Sequence, residues 1–531
     1  MSSAWAIVFA GLLGLQVPVP APGDSSRPLE QEFLTLIERE SREVASLADQ
    51  LEKQGRRELA TRVREHIPPP EPSDGASRFH VLASVVPANQ QGTQSAGPTE
   101  LNAILARTVA ALHDLARRSA HASPARYALA GFCLREILER TPDDREARRV
   151  LGYVPYRGGW ARPFAVKQLS GGFVDHPTFG WVGKDWVEHL NRGELPAPSK
   201  GAQRAVRWLP AHDADQLRSG WNPPWQILTE HFEVQTDVPL AEAISFGRRL
   251  EAFHDLFTAV MADVLGDNTP LARRLKHSTD QGIPAPKPHL VLYFASKAEY
   301  VERLTPRQGD TIARTLGFYD PPKPGKGGRA PAYFFRDQGG QLPVTATLYH
   351  EVSHQLLFEN AGPNAYLKNK GNYWVFEGLG TYFETVVDLS GGWLRYGGVI
   401  GPRAAEAART LVDQGRSVPL GQFVEFEPEQ FNQEQAIYLH YQQAMAVSLF
   451  LMQSDHGLRR GAFLDYLRDA YHGRIKRATG RRLEDRLGEP YPSLENQYLA
   501  YLKAHRPAGD ANEPAPRAQT AKAGLRTVPS E

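Results

Sequence analysis

The stretch TLYHEVSHQLLFE, residues 347–359, is the part of the chain that decides its fold and chemistry. It contains His350, Glu351 and His354 in the spacing H-E-x-x-H. On a helix, residues four positions apart lie one above the other, with Cβ atoms about 5–6 Å apart, so both imidazoles can reach one ion. Glu351, one step round the helix, would reach a water on that ion. The stretch predicts a zinc-binding helix. The alternative is an ordinary amphipathic helix that carries two histidines by chance.

A second stretch, YWVFEGLGTYFE at residues 373–384, offers a third ligand. Glu377 follows the first motif closely enough for one helix to end and a second to return a carboxylate to the ion. Gly378 and Gly380 lower helix stability, which makes sense if they allow close approach to a neighbouring helix. Glu384 lies about two turns beyond Glu377 on nearly the same face, where it could hold a ligand histidine or an arginine. A solvated charged face is the alternative, but it does not explain the surrounding aromatic residues.

Together the two stretches resemble the gluzincin metallopeptidases, zinc enzymes of the thermolysin and aminopeptidase-like kind. The second stretch is similar to the W-x-x-E-G-x-x-x-Y-x-E segment of the aminopeptidase-like branch, with matches at Trp374, Glu377, Gly378, Tyr382 and Glu384. The order of elements over roughly 225–502 also resembles peptidase-like domains of exported bacterial proteins. The resemblance implies one Zn²⁺ ion held by His350, His354 and Glu377. It implies Glu351 as the general base of peptide hydrolysis.

The resemblance also implies a downstream Tyr or His that stabilises the oxyanion formed when water attacks the carbonyl. The expected helix QAIYLHYQQAMAVSLFLM, residues 435–452, contains Tyr438, His440 and Tyr441. Tyr441 is the choice because its separation from Glu377 is close to that of the aminopeptidase-like branch. His440 is the runner-up and Tyr438 a further alternative. An aromatic side chain buried in a helix, without any role in chemistry, is the competing interpretation for each.

One departure from the family pattern concerns the substrate. The aminopeptidase-like branch carries a G-x-M-E-N segment that binds the free amino terminus, and this chain has none. The stretch GGRAPAYFF at 327–335 stands at about that place, and we expect it to supply an edge strand that pairs with an extended peptide. Without an amine anchor, endopeptidase action is expected. A different class of function, a non-catalytic zinc-containing scaffold that recruits a protein through its N-terminal helical region, is the alternative.

Composition excludes several classes of protein. The 531 residues are 41% hydrophobic and 23% charged, as in folded globular proteins, and the length suits two or three domains. Because 61 basic and 60 acidic residues leave a net charge of +1, no global field favours nucleic acid or an anionic membrane. The single cysteine, Cys133, excludes an intramolecular disulfide and a zinc site built from several thiolates. Neither a G-x-S-x-G elbow nor a Walker loop occurs.

The first residues carry an apolar run from Ala4 to about Val17, followed by a Pro-rich break. Its length is that of a signal peptide and is short for a bilayer span. It lacks a basic residue before the run and a clean A-x-A cleavage site. We expect residues 1–23 to be a signal peptide or N-terminal anchor and the protein to be exported to the periplasm, cell envelope or exterior. No other membrane span is expected.

The rest of the chain predicts an α+β fold that is mainly α. Leu29 to about Ile67 shows a helical stripe, and RYALAGFCLREILERTPDDREARRVLGY at 126–153 predicts a tetratricopeptide-like helical hairpin around TPDD. The expected domains are a helical region with a Pro/Ser/Gly-rich linker at 24–125, the hairpin and a Gly/aromatic-rich segment at 126–200, a gluzincin-like domain at 219–505, and a disordered tail at 506–531. The gluzincin-like domain should combine a small sheet, the active-site helix and a C-terminal helical part.

Overall fold

The computed structural model describes residues 27–69, 72–88, 98–198, 206–267, 269–277, 287–321, 329–340, 343–361, 371–472, 474–475 and 482–506. The predicted signal peptide or anchor, and the predicted tail beyond Arg506, lie outside these residues. Within them the chain is mainly helical with small sheets, so the prediction of a mainly α member of the α+β class is confirmed. Among the described helices, none has both the length and the apolar composition needed to cross a bilayer.

Helices packed side by side form the N-terminal part. Their bounds are α1 Arg27–Lys53, α2 Arg57–Arg64, α3 Thr99–His121, α4 Tyr127–Arg140 and α5 Arg145–Val150. The helical stripe expected from Leu29 to Ile67 is interrupted at Gly55, whose φ of +79° lies in the left-handed region that glycine adopts without strain. The predicted hairpin around TPDD is present as α4 and α5. Asp144 caps α5, since its carboxylate accepts from the Ala147 amide at 2.8 Å.

Short strands and helices lie in the Gly/aromatic-rich segment and on either side of it, with β1 and β2 between α2 and α3. They are β1 Ser77–His80, β2 Val85–Val86, β3 Val154–Tyr156, β4 Gly159–Ala161, α6 Pro163–Ser170, β5 Phe173–His176, β6 Gly180–Gly183, α7 Val187–Asn191, β7 Glu194–Pro196, β8 Trp208–Pro210 and α8 Ala211–Gln216. Antiparallel pairing joins β5 to β6 and β7 to β8, and β4 lies between β2 and β3. The predicted small strands are therefore hairpins.

A five-stranded sheet organises the C-terminal part. Its strands are β9 Trp225–Leu228, β10 Phe232–Thr236, β11 His289–Phe294, β12 Gly317–Tyr319 and β13 Ala332–Phe335. In space they run β12-β13-β11-β10-β9, with β10, β11 and β13 parallel and the outer strands antiparallel. The expectation that residues 327–335 supply the edge strand is wrong. They contain β13, which pairs with β11 on one side and with β12 on the other. Strand β12 therefore forms the edge of the sheet next to β13, and the sequence pattern did not predict this strand.

Helices cover this sheet and continue beyond it. They are α9 Leu240–Val260, α10 Ala262–Leu265, α11 Pro270–Lys276, α12 Lys297–Gln308, α13 Val344–Ala361, α14 Trp374–Phe383, α15 Gly401–Ala407, α16 Leu420–Phe423, α17 Pro428–Phe431, α18 Ile437–Gly457, α19 Arg460–Tyr471, α20 Leu483–Leu487 and α21 Tyr491–His505. Two further strands, β14 Val387–Asp388 and β15 Trp393–Tyr396, follow α14. One hydrophobic core holds α9, α13, α14, α18, α19 and the sheet together.

The N-terminal segments are tied to the C-terminal part by specific contacts. Strand β1 pairs antiparallel with β15, with Ser77 opposite Tyr396. Arg126, just before α4, is buried and pairs with Asp465 of α19 at 2.8 Å. A buried charge is tolerated only when it is paired, so this contact fixes the N-terminal hairpin against the helices beyond it. The division of the chain into the domains given above stays a prediction.

Candidate metal centre

Helix α13 contains the H-E-x-x-H stretch and lies inside the protein. It packs on β12 and β13 on one side and on α14 on another. Its apolar residues Leu348, Val352 and Leu356 belong to the main core. His350 and His354 lie on the α14 side and are 2% and 4% exposed. The predicted helix is therefore present, and it holds both imidazoles in the protein interior, where water does not satisfy their nitrogens.

Helix α14 brings Glu377 to the two histidines. Oε2 of Glu377 lies 3.4 Å from Nε2 of His350 and 3.8 Å from Nε2 of His354, and the Glu377 side chain is fully buried. One candidate ligand atom from each residue lies within 4.8 Å of the others. Within the described parts of the chain, no other group of His, Cys, Asp or Glu meets this geometry. The three residues named from the sequence are thus brought together.

The facing atoms of this cluster have no hydrogen-bond partners. Nε2 of His350, both ring nitrogens of His354 and Oε2 of Glu377 are buried and unbonded. A buried polar atom without a partner costs about 1–3 kcal/mol, and such atoms are rare in folded proteins. A divalent cation such as Zn²⁺ takes imidazole nitrogen and carboxylate oxygen as ligands, so it would satisfy one atom from each residue. The donor set fits the metal that the sequence resemblance implies.

A second layer of contacts orients the ligands. Nδ1 of His350 lies 2.9 Å from Oε1 of Glu384, and Nε of Arg403 donates to Oε2 of Glu384 at 2.6 Å. With Nδ1 donating, the lone pair of His350 is on Nε2, the atom that faces Glu377. Glu384 therefore holds both the ligand histidine and an arginine. Tyr373 donates its hydroxyl to Oε1 of Glu377 at 3.0 Å, which leaves Oε2 to face the histidines.

Charge and burial set the protonation of the cluster. Burial lowers the pKa of His350, but the nearby carboxylates of Glu377 and Glu384 outweigh it and raise this pKa to about 10. Burial raises the pKa of Glu377, yet His350 and His354 hold it well below its ordinary value. Burial likewise opposes ionisation of Glu384, and the Arg403 guanidinium keeps its pKa low. Strongly perturbed pKa values gathered in one buried group of residues are common at functional sites.

Glu351 lies beside the cluster and points towards the sheet. It is 4% exposed, and its Oε2 accepts a hydrogen bond from the backbone amide of Tyr319 at 3.1 Å. That amide belongs to β12, the edge strand. The pKa of Glu351 is raised, because burial outweighs the opposing effect of the neighbouring imidazoles. The carboxylate is therefore held by one oxygen in a site of low polarity, as a general base would need.

The two glycines of α14 lie where helices touch. A Cβ on Gly380 would stand 2.6 Å from Cε1 of His350, and a Cβ on Gly378 would stand 2.5 Å from Oγ of Ser448 on α18. The helix axes can be this close only because these positions lack side chains. The sequence prediction that the glycines permit close approach to a neighbouring helix is confirmed. Gly380 in particular leaves the space in which the His350 ring lies.

Among the three candidates on α18, the structure brings Tyr441 to the cluster. Its ring stacks against His350 at a centroid distance of 6.4 Å, and its hydroxyl is buried without a hydrogen-bond partner. His440 points away, because its Nδ1 bonds to the carbonyl of Phe431 at 2.7 Å among phenylalanine rings. Tyr438 is 48% exposed. Burial keeps the pKa of Tyr441 well above its ordinary value, so it is an O–H donor at neutral pH.

Sequence reasoning missed three residues of this site. Arg403, Tyr373 and the backbone amide of Tyr319 complete the contacts of Glu384, Glu377 and Glu351. Tyr373 stands four residues before Glu377, directly before the first residue of α14, which is a spacing the sequence shows. The other two come from α15 and β12, and no local pattern connects either of them with α13 or α14.

Two cavities formed by the described residues lie away from the cluster. They have volumes of 770 Å³ and 230 Å³, and neither is lined by His350, His354 or Glu377.

Comparison with known proteins adds one finding. Residues 344–472 match a family described as "Protein of unknown function (DUF1570)". This segment runs from the start of α13 to just beyond α19, so it contains the whole cluster, Glu384 and Tyr441. No curated protein matches the chain.

Proposed function

We propose that the protein is a zinc-dependent peptidase of the gluzincin type that cleaves peptide bonds within a chain. The observation that carries this proposal is the convergence of unbonded, buried ligand atoms from His350, His354 and Glu377 beside the carboxylate of Glu351. A zinc ion held there would supply Lewis-acid chemistry, by lowering the pKa of water and polarising the scissile carbonyl. The gluzincin-like fold, export and a peptide or protein substrate belong to the same proposal.

The chain's own residues have distinct roles in this mechanism. Glu351, anchored through one oxygen to the Tyr319 amide, takes a proton from the attacking water and passes it to the leaving amine. Tyr441 donates its otherwise unbonded hydroxyl to the oxygen on which negative charge develops. Glu384 and Arg403 keep the His350 ring in the orientation that leaves Nε2 facing Glu377.

The test is metal analysis and peptide hydrolysis by the full chain and its Glu351→Gln variant. The parent should bind one equivalent of zinc and hydrolyse casein or a peptide library, with activity lost to a chelator and restored by Zn²⁺. Glu351→Gln should keep the metal and lose activity by about 10²–10⁴-fold, the contribution of a general base. Glu429→Gln, an exposed position, is the matched control and should behave as the parent. If Glu351→Gln hydrolyses peptides as fast as the parent, the mechanism is wrong.

A second candidate is the non-catalytic scaffold, and one observation favours it. All three ligands and Glu351 are at most 4% exposed, as in a structural zinc site that solvent does not reach. The same experiment separates the two functions. One equivalent of bound zinc with no turnover of any peptide in the library would favour the scaffold, with the N-terminal helical region as the surface for a protein partner.

A further inference from the structure

The 230 Å³ cavity lies where the N-terminal helical hairpin meets the C-terminal part. Its wall includes Arg135 from α4, Leu151 beyond α5, Arg274 from α11 and Asn360 from the last turn of α13. Helix α13 is the helix that carries the H-E-x-x-H stretch. The cavity is thus bounded by the end of the metal-binding helix on one side and by the N-terminal hairpin on the other.

Positive charge dominates the lining of this cavity. Three arginines line it, Arg135, Arg162 and Arg274, against a single carboxylate, Asp255. Arg135 is bound to that carboxylate at 2.6 Å. Asp255 also accepts a hydrogen bond from the Leu82 amide, so less of its negative charge is available to neutralise the other arginines. A half-buried cavity with an excess of guanidinium groups attracts an anion, because burial weakens the screening that water provides.

Arg162 is only partly satisfied by its neighbours. Its Nη2 lies 3.5 Å from Oδ1 of Asp255, at the outer limit of an ion pair, and its Nε is buried with no hydrogen-bond partner. Its side chain is 18% exposed and lines both cavities. A guanidinium offers five N–H donors in a plane that matches two oxygens of a carboxylate or phosphate. Arg162 therefore has donors available for an oxyanion.

Three histidines complete the lining but do not form a metal site. His231 and His254 stack at a centroid distance of 3.7 Å, and planes of parallel rings do not meet at a common ion. Burial, together with the neighbouring His231, His289 and Arg162, holds the pKa of His254 well below its ordinary value. His254 is therefore neutral near pH 7 and has a ring N–H to offer. Cation binding is disfavoured here, whereas hydrogen bonding to an oxygen is favoured.

Gly152 gives Arg274 its position. The residue has a φ of +94°, and a Cβ there would stand 2.6 Å from Nη1 and 3.2 Å from Cζ of Arg274. The Arg274 guanidinium therefore lies against the backbone of Gly152, in space that a side chain at position 152 would occupy. This arrangement keeps a third arginine beside the cavity.

We propose that this cavity is a binding site for a small oxyanion, phosphate or a carboxylate, held by Arg162 and Arg274 with His254. An anion bound here contacts both the N-terminal hairpin and the end of α13. The site is independent of the proposed peptidase activity, because none of its residues belongs to the metal cluster.

The test is calorimetric titration of the full chain with inorganic phosphate, with sodium chloride at the same ionic strength as the reference. Phosphate should bind at one equivalent and raise the melting temperature, whereas chloride should not. Arg162→Gln should weaken binding by about tenfold or more, the effect of losing a charge-assisted hydrogen bond. Arg274→Gln gives the same test if Arg162→Gln does not fold. Arg218→Gln, which lines only the larger cavity, is the matched control and should bind as the parent.

Succinate, titrated in the same way, separates the two chemistries. Tighter binding of succinate than of phosphate would identify a carboxylate site, and the reverse a phosphate site. The proposal is overturned if neither anion differs from chloride, or if the Arg162→Gln and Arg274→Gln variants both bind as tightly as the parent.

Discussion

Two clusters in this protein are built from the same residue types and differ in what their atoms can do. The candidate metal cluster has His350 and His354 facing Glu377, with Nε2 of His350 and both ring nitrogens of His354 unbonded. The second cluster surrounds the 230 Å³ cavity. There, His231 and His289 each bond through Nδ1 to a carboxylate, Glu251 at 2.7 Å and Glu359 at 2.5 Å, and His254 stacks on His231.

The difference lies in convergence: a metal site needs lone pairs directed at one point, and the number of histidines matters less. In the metal cluster, two imidazoles come from one helix at a spacing of four, so their orientations are coupled. In the second cluster, His231 lies directly before β10, His254 lies in α9 and His289 begins β11. Each of these rings contacts a different partner. The predictions below change one cluster while keeping the other as the reference.

The largest expected effect is loss of the metal. His354→Ala leaves two ligands, too few for a stable zinc site, so bound zinc should fall from one equivalent to none after dialysis. His289→Ala, which removes an imidazole from the second cluster, should keep one equivalent. Elemental analysis of both variants, with circular dichroism to show that each is folded, makes the measurement. Zinc retained by a folded His354→Ala variant would contradict the assignment.

The next largest effect is on the rate of peptide hydrolysis, with zinc binding unchanged. Tyr441→Phe removes only the hydroxyl that we place at the developing oxyanion, so kcat should fall by about 10²–10³-fold with zinc content unchanged. Tyr438→Phe removes a hydroxyl from the same helix, but that side chain is 48% exposed, and its kcat should equal the parent's. Steady-state kinetics of the two variants tests the choice between them. Equal rates for Tyr441→Phe and the parent would exclude the role.

A smaller effect is expected from the carboxylates that hold histidines. Glu384→Gln weakens the contact to His350 and should lower zinc affinity by about 10–100-fold, as removal of such partners does at other metal sites. Glu359→Gln changes the equivalent contact to His289 in the second cluster and should leave zinc affinity unchanged. Competition with a zinc chelator of known affinity measures both. Equal affinities for the two variants would show that Glu384 does not support the metal.

The smallest effect concerns pH and the second cluster. Because the pKa of His254 lies well below 6.5 in the folded protein, the unfolded chain binds a proton there that the folded chain does not. The free energy of unfolding should therefore fall as the pH drops below 6.5, and His254→Gln should reduce that fall. His212→Gln, at an exposed position, is the control. Urea denaturation of each variant at about pH 5 and pH 7.5 measures the free energy of unfolding at the two pH values. An unchanged pH dependence in His254→Gln would contradict the prediction.

Much of the fold around the metal cluster could be predicted because its elements carry strong local patterns. The helices α13, α14 and α18 and the strand β13 all lie where the sequence predicted them. Strand β12 was missed, since Gly317–Tyr319 is too short for an alternating pattern. Missing it led to the wrong edge strand, because the position of a strand in a sheet depends on pairing with distant residues. The break at Gly55 was missed for a simpler reason, since one glycine within a helical stripe is often tolerated.

The sequence by itself determined that two histidines share one helix face. A spacing of four on one helix places His350 and His354 side by side, whatever surrounds them. The approach of Glu377 from the next helix was predicted from the sequence resemblance and depends on tertiary packing. Only the tertiary structure decided which atoms stay unbonded, that Arg403 and Tyr319 hold the carboxylates, and that Tyr441 faces the cluster while His440 does not. It also produced the arginine-rich cavity from residues far apart in the chain. The physical reason is that helical spacing is local, whereas burial, pairing and charge depend on which distant segments pack together.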